Sequence, residues 1–384
     1  MSPTPVTSAL PTAPIGYTWE ATSAAVAARY GVPIGSILRF DLNTAPEPPA
    51  LAAAVIAAGR FEDGLSEYPP ADYARLTAAA ARRYDVSPDE IVVGAGADEI
   101  LDLIAKAFLR PGRTAIVPTP TYSMYRVLTE QRGATVVRVP RLGLHADFAL
   151  DRPAIRAAAA TADLIWLCDP NNPTALPEPD GTIAGLLADL DADARRAGRA
   201  APIVVLDEAY AEFVGSSLIG VRLDYPRLIV VRTVSKAYGL AGLRVGFALA
   251  VRETVATIEP YRPPGSVSVV SVAVVTAALE TDGWLAPRIA AVHAERDRLA
   301  GGLRAEGWEV LPSVTNFVLA RFESPSAAAE AAESLLHRGL VPRTFGPGHP
   351  LADHLRITVR SADQDDRLVA AVRASTPPDG RAGR

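Results

Sequence analysis

The sequence predicts an α/β protein, with a large doubly wound, mostly parallel sheet followed by a smaller α+β C-terminal domain. Three observations lead there. Between about residue 70 and residue 250, near-continuous apolar runs alternate with helix-like segments, as expected of strands covered on both faces. After residue 250 the alternation gives way to two helical stretches and a second set of strands. The chain's 384 residues exceed what one core accommodates, so two domains are expected.

In chain order, segment 72–84 (DYARLTAAAARRY) is alanine-rich and keeps its apolar residues on one helical face. Segment 90–96 (EIVVGAG) is a short strand running into glycines. Segment 97–109 (ADEILDLIAKAFL) resumes helical periodicity, with acids in its first turn, where the helix dipole favours them. Further strands are expected at 114–118, 134–140, 162–168, 202–207, 227–233 and 245–250, with helices at 153–162 and 183–198 between them. Segments 267–280 and 285–307 read as helices, and 308–312, 316–322 and 355–360 as strands of the second unit. The expected division is an N-terminal arm over 1–45 that joins the small domain, a large domain over 46–255, a small domain over 256–375 and a flexible tail over 376–384.

Bulk properties exclude several classes. Apolar residues make up 49% and charged residues 21%, the net charge is −5 and no basic run stands out. That argues against a nucleic-acid or anionic-membrane surface. The N-terminal segment has no basic region followed by an apolar one, so no signal peptide is expected, and no stretch of about 18 apolar residues is long enough to span a membrane. A single cysteine, Cys168 in LIWLC, excludes an intramolecular disulfide and suits a reducing, cytoplasmic compartment. The five histidines show no metal-like spacing; His349 and His354, in GHPLADHLR, are candidates for a substrate mouth.

In open α/β sheets, ligands lie beyond the carboxyl ends of the strands. The polar residues there are Gly94 to Asp98, Thr121 and Tyr122, Asp169 to Thr174, Asp207 to Tyr210, and Thr233, Ser235 and Lys236. The VVGAGADEIL segment is a strand, a glycine turn and a helix start, suited to an anion such as phosphate. Its third fingerprint position holds Glu99 rather than glycine, which disfavours a dinucleotide. Asp207 admits two readings, a helix N-cap or a carboxylate awaiting a cation such as a protonated heterocyclic nitrogen. Lys236, near apolar walls and Arg244, would have its ammonium disfavoured and an amine available for a Schiff base; alternatively it pairs with Asp207 or lies on the surface. Pyridoxal phosphate meets these demands together, since it needs an amine, an acid, a stacking aromatic and an anion cradle.

The segments YPPADYARLTAAAARRY, GADEILDLIAKAFLRPG, PTPTYSMY, DPNNPT, LDEAYAEF, TVSKAYGLAGLRVGF and LRITV resemble the fold-type-I, class I/II aminotransferases, and among them the histidinol-phosphate aminotransferases. The resemblance implies a pyridoxal 5′-phosphate enzyme moving an amino group between glutamate and a 2-oxo acid or an imidazole-acetol phosphate. It implies that Lys236 carries the cofactor as a Schiff base, Asp207 pairs with the ring nitrogen, and Asn172 and Tyr210 bond the phenolic oxygen. Tyr122 would stack on the ring. The amides of Gly96, Ala97 and Asp98, with Ser235, Arg244 and Thr233, would hold the phosphate. Tyr68 would reach the partner subunit's phosphate, implying a homodimer, and Arg356 would fork onto the substrate carboxylate, with Tyr17, Asn43 and Asn172 nearby.

The chain departs from the family pattern in three places. FDLNTAPEPP keeps Asn43 and Pro46 but lacks the family's acidic residue, Ala175 replaces a glycine, and Arg360 follows LRITV where a small residue is common. An alanine at 175 asks for φ below zero or for strain. The altered rim motivates an alternative: a decarboxylase similar to threonine-phosphate decarboxylase, or an aromatic or specialised amino-acid aminotransferase. A regulatory module of the same fold is disfavoured, because the first 60 or so residues show no basic helix-turn-helix pattern.

Overall fold

The computed structural model describes residues 16, 21–59, 61 and 64–375. The chain opens with α1 (Ser23–Tyr30), β1 (Leu38–Arg39), α2 (Ala50–Ala58) and α3 (Ala74–Tyr84). There follow β2 (Ile91–Gly94), α4 (Gly96–Phe108), β3 (Thr114–Thr119), α5 (Met124–Gln131), β4 (Thr135–Pro140) and α6 (Arg152–Ala158). Next come β5 (Leu164–Cys168), α7 (Thr182–Arg196), β6 (Ile203–Asp207), α8 (Ala211–Val214), β7 (Leu228–Thr233) and β8 (Gly246–Leu249). The remainder is α9 (Arg252–Ile258), α10 (Val269–Glu280), α11 (Leu285–Ala305), β9 (Glu309–Val310), β10 (Phe317–Arg321), α12 (Pro325–Leu336), β11 (Leu340–Val341), β12 (Arg343–Thr344), β13 (His354–Thr358) and α13 (Ala362–Ser375).

Seven strands form one sheet in the order β2-β8-β7-β6-β5-β3-β4. All pairs are parallel except those of β8, which runs antiparallel to β2 and β7. Alternate residues face opposite sides: Ile165, Leu167, Val204 and Leu206 enter one core, and Leu164, Trp166, Ile203 and Val205 the other. This is why these runs lack polar alternation in sequence. The chain winds out through β3 and β4 and returns at β5, placing the switch point between β3 and β5. Registers Cys168↔Asp207 and Asp207↔Val231 set the carboxyl ends of β5, β6 and β7 side by side. The chemistry gathers there.

A second, antiparallel sheet has the order β12-β13-β10-β9, and β1 pairs in parallel with β11. Its core joins Phe40, Val318, Leu335, Leu355, Ile357 and Leu368 with Leu299 and Leu303 of α11. Helix α10 does not belong to it: Val274, Val275, Ala278 and Leu279 share the larger core with Leu76, Ala79 and Ala80 of α3. Leu285, at the start of α11, also lies in the larger core. The chain thus passes between cores along α11, and the expected boundary near residue 255 falls before helices that pack on the large sheet. Sequence places these helices early because α10 is apolar all round and signals no partner. Among the described residues, no single helix is long and apolar enough to cross a membrane.

Candidate active site

A cleft of about 420 Å³ opens where the ends of β5, β6 and β7 meet β13 and the segment 41–44. It is lined by Ala97, Asp98, Tyr122, Asn172, Asp207, Tyr210, Thr233, Ser235, Lys236, Arg244, Asn43 and Arg356. These residues come from eight separate stretches of sequence and converge on one site. Gly96, directly before Ala97, begins α4 at its edge.

Asp207 ends β6 and is buried. Among the described residues its hydrogen bonds come from neutral donors, the Tyr125 hydroxyl at 2.8 Å and the Ala209 amide at 3.0 Å. Tyr125 is itself fixed by stacking on Trp166, with ring centroids 5.5 Å apart and planes 8° from parallel. Burial pushes the Asp207 carboxyl up to about 6 against the pull of these bonds. A buried carboxylate held only by neutral donors is matched by a cationic ring nitrogen.

Lys236 lies in the turn after β7. Its Nζ is 3.4 Å from the Asn43 carbonyl oxygen and 5.6 Å from the centre of the Tyr210 ring. Burial lowers its ammonium to about 8, and the nearby Arg356 charge adds to the fall. The Tyr210 hydroxyl accepts from Asn43 Nδ2 at 2.9 Å, and burial raises its pKa. Cys168, at the floor, is a buried thiol pushed up to about 12 by burial; it stays protonated at neutral pH.

The opposite end of the cleft is suited to an anion. The 13-residue helix α4 begins there, with Ala97 and Asp98 lining the cleft, and the N-terminal dipole favours negative charge. Gly96 has φ +82°, and a Cβ there would run into the Arg244 guanidinium. Gly246 of β8 is equally restricted, since a Cβ would lie 2.6 Å from the Ala97 nitrogen. Asp98 accepts from the Tyr122 hydroxyl at 2.9 Å and lies 3.4 Å from Arg244. The Thr233 hydroxyl is 2.9 Å from that of Ser235 and 3.1 Å from the Val245 carbonyl, so it braces the loop.

At the rim, Arg356 donates to Asn172 Oδ1 at 2.6 Å and to the Asp41 carbonyl at 2.5 Å. Because Asn172 Oδ1 accepts there, its amide N–H₂ is the edge left for a ligand. The Asn43 side chain is used differently from the expectation of a substrate contact. Its amide bonds Tyr210 and its carbonyl accepts from Thr358 at 3.2 Å, making it a brace between strands. Arg360 donates to the Thr44 carbonyl at 3.2 Å, holding the segment where the family's acidic residue is missing. Ala175 adopts φ +66°, so the strain branch of the expectation applies.

Tyr68 does not line this cleft; its side chain is 91% exposed. Tyr17 lies outside the described residues. His349 lines the cleft, whereas His354 is buried against Phe148, its Nδ1 2.7 Å from Asp353. Sequence reasoning missed Arg343, Phe345 and Tyr125. Tyr125 had a signal, since it follows Tyr122 at helical spacing, but Arg343 sits in the two-residue strand β12 and Phe345 in the loop after it, neither with a local pattern.

The residues fit pyridoxal phosphate at both ends: a buried carboxylate for a ring cation, and a glycine-permitted cradle for a phosphate. Residues 37–372 match the family model "Aminotransferase class I and II". The chain is 37% identical over 354 residues to histidinol-phosphate aminotransferase of Roseiflexus castenholzii, covering 90% of this chain and 91% of that one. It is 36% identical over 336 residues to the Symbiobacterium thermophilum enzyme of the same name, covering 86% and 87%. The structure is similar to that of Sinorhizobium meliloti histidinol-phosphate aminotransferase in complex with pyridoxal-5′-phosphate. That match has a TM-score of 0.83 and 26% identity, covering 93% and 95% of the two chains.

Proposed function

Starting from the fact that the chain belongs to the class I and II aminotransferases and is a pyridoxal-phosphate enzyme of fold type I, we propose that it passes an amino group from glutamate to a phosphorylated 2-oxo acceptor of the imidazole-acetol phosphate kind. One observation carries the choice of acceptor. Arg343 stands directly opposite Arg356 in the β12–β13 ladder, and both line the cleft. Like charges directly opposite across a ladder repel, and the two negative charges of one phosphate offset that repulsion better than the single charge of a carboxylate. The names of the curated relatives support the same reading, and do not favour the decarboxylase.

Pyridoxal phosphate supplies an aldehyde to take up the amino group and a ring that draws electron density from the substrate carbon. The protein's residues do the rest. Lys236 Nζ, with its pKa lowered to about 8, offers the neutral amine that binds the cofactor. Once displaced by substrate, it holds and moves the proton at the substrate carbon. Asp207 keeps the ring nitrogen protonated. The amides of Gly96, Ala97 and Asp98, with Ser235 and Arg244, hold the phosphate, while the Asn172 amide and the Tyr210 hydroxyl bond the phenolic oxygen. Tyr122 stacks on the ring. Arg356, oriented by Asn172 and the Asp41 carbonyl, receives the group at the substrate's α-position, and segment 41–44 excludes water.

Two further parts of the proposal concern assembly and place. Tyr68, exposed and away from its own cleft, serves the phosphate of a second copy in a homodimer, and the single cysteine suits the cytoplasm. Light scattering on the purified enzyme gives the mass; a monomer ends the dimer reading. The acceptor is tested by half-reaction rates with histidinol phosphate, phenylalanine, tyrosine, leucine and threonine phosphate. Histidinol phosphate reacts fastest, by at least about 10-fold in kcat/KM; a faster apolar donor overturns the assignment.

A further inference from the structure

We propose that His349 is a specificity-determining residue whose Nε2–H donates a hydrogen bond to an oxygen of the acceptor's phosphate. The inference rests on the function just proposed, because it places a phosphate-bearing substrate in that cleft.

After β12 the chain turns through Phe345 and two glycines to His349. The imidazole lies against the Phe345 ring, with centroids 4.8 Å apart and planes 19° from parallel, so the ring plane is set by packing. His349 Nδ1 accepts the Leu351 amide N–H at 3.1 Å. A nitrogen that accepts carries no proton, so in the neutral ring the proton sits on Nε2. Burial and the neighbouring Arg343 and His354 all disfavour the imidazolium. The ring therefore presents a single fixed donor, and it does so while lining the same cleft as Arg343, Thr344 and Phe345.

The number of donors matters. A guanidinium fork matches two oxygens, which completes a carboxylate. A phosphate has three terminal oxygens, each able to accept more than one hydrogen bond, so guanidinium forks leave acceptor sites to be met by another group. A neutral imidazole donor beside Arg343 meets one of them without adding a third positive charge next to Arg343 and Arg356. The arrangement thus favours a phosphate over a carboxylate at this end of the substrate.

His349→Phe keeps the stack on Phe345 and removes the donor, and His349→Gln restores a donor. In single-turnover experiments on the holoenzyme, His349→Phe weakens apparent binding of histidinol phosphate about 10-fold. That corresponds to about 1.4 kcal/mol. The limiting rate and the kcat/KM for unphosphorylated histidinol stay unchanged, and His349→Gln recovers most of the loss. Equal effects on both substrates, or none on either, overturn the proposal. Calorimetric titration of inorganic phosphate into wild-type and His349→Phe holoenzyme decides the matter separately. Tighter binding to the wild type supports the donor even if histidinol phosphate proves a poor substrate; equal or absent binding refutes it. Failure of the functional reading shows instead in the wild type, as slow reaction with histidinol phosphate.

Discussion

The two ends of the cleft are built by different means. At the cofactor end, Asp207, Tyr210, Lys236 and Arg244 come from adjoining strand ends and turns within one stretch of chain, and the sheet register aligns them. At the rim, Asn43 meets Thr358 across 315 residues, Arg356 meets Asp41 at the same separation, and Arg360 reaches Thr44. The first end is set by the ladder of a buried sheet; the second is set by side-chain bonds between segments far apart in sequence. The lesson is that the reaction type is secured by the sheet, while the choice of substrate is left to contacts that change without disturbing it.

That contrast makes the cofactor end the place where single changes do most harm. Lys236→Ala removes the covalent anchor, so turnover falls at least about 10⁴-fold and the visible absorbance of the bound cofactor is lost; residual activity near wild type breaks the comparison outright. In the wild type, the amine's lowered pKa of about 8 makes capture of added pyridoxal phosphate by the cofactor-free protein accelerate as pH rises toward 8 and level off above it. Stopped-flow reconstitution across pH 6 to 10 reads this directly.

Asp207→Asn comes next, lowering kcat about 10²- to 10³-fold. It acts oppositely on stability. The folded carboxyl, at about 6, lies above its ordinary 3.8, so its contribution to stability is present below pH 3.8 and lost as pH rises through 6. At pH 7 the cofactor-free Asn variant is therefore more stable than wild type, by on the order of 1–3 kcal/mol, and at pH 4 the gain shrinks. Denaturant melts at the two pH values check the sign. A variant less stable at pH 7 shows that the carboxylate has a partner sufficient without the cofactor.

At the rim the effects are smaller. Arg360→Ala frees the Thr44 carbonyl and raises KM for the acceptor about 3- to 10-fold with kcat nearly unchanged, as befits one hydrogen bond worth about 1 kcal/mol; a fall in kcat alone blurs the distinction between the two ends. Smallest is Ala175→Gly. Relief of the left-handed backbone, about 1 kcal/mol, is offset by losing a buried methyl worth about 0.8 kcal/mol and by a looser unfolded chain. Its unfolding free energy, read from denaturant melts, changes by less than about 1 kcal/mol, and activity is unchanged.

The same division governs what could be read in the sequence. Strands β2, β3 and β5 to β8 are legible because burial on both faces makes them continuous apolar runs, and their polar ends then mark Asp207, Tyr210, Lys236 and Arg244. Two-residue strands such as β1, β11 and β12 exist only through their partners and have no period to detect. Arg343 is invisible for that reason: only the pairing of β12 with β13 brings it to the cleft, whereas His349 is legible as one of two candidates in GHPLADHLR. Helix α2, ALAAAVIAA, carries no polar face to mark its period. Tyr125 shows a third case, in which a residue next to a recognised motif matters through the carboxylate it holds.

Helix α11 enters both cores, with Leu285 in the larger and Leu303 in the smaller. Eighteen residues at 1.5 Å per residue make a rigid arm of about 27 Å. A tilt of about 5° at its first turn would swing the far end by roughly 2 Å, more than the play in a hydrogen bond. A crowbar of this length would turn a slight rocking at one end into a shift of the smaller core against the larger at the other.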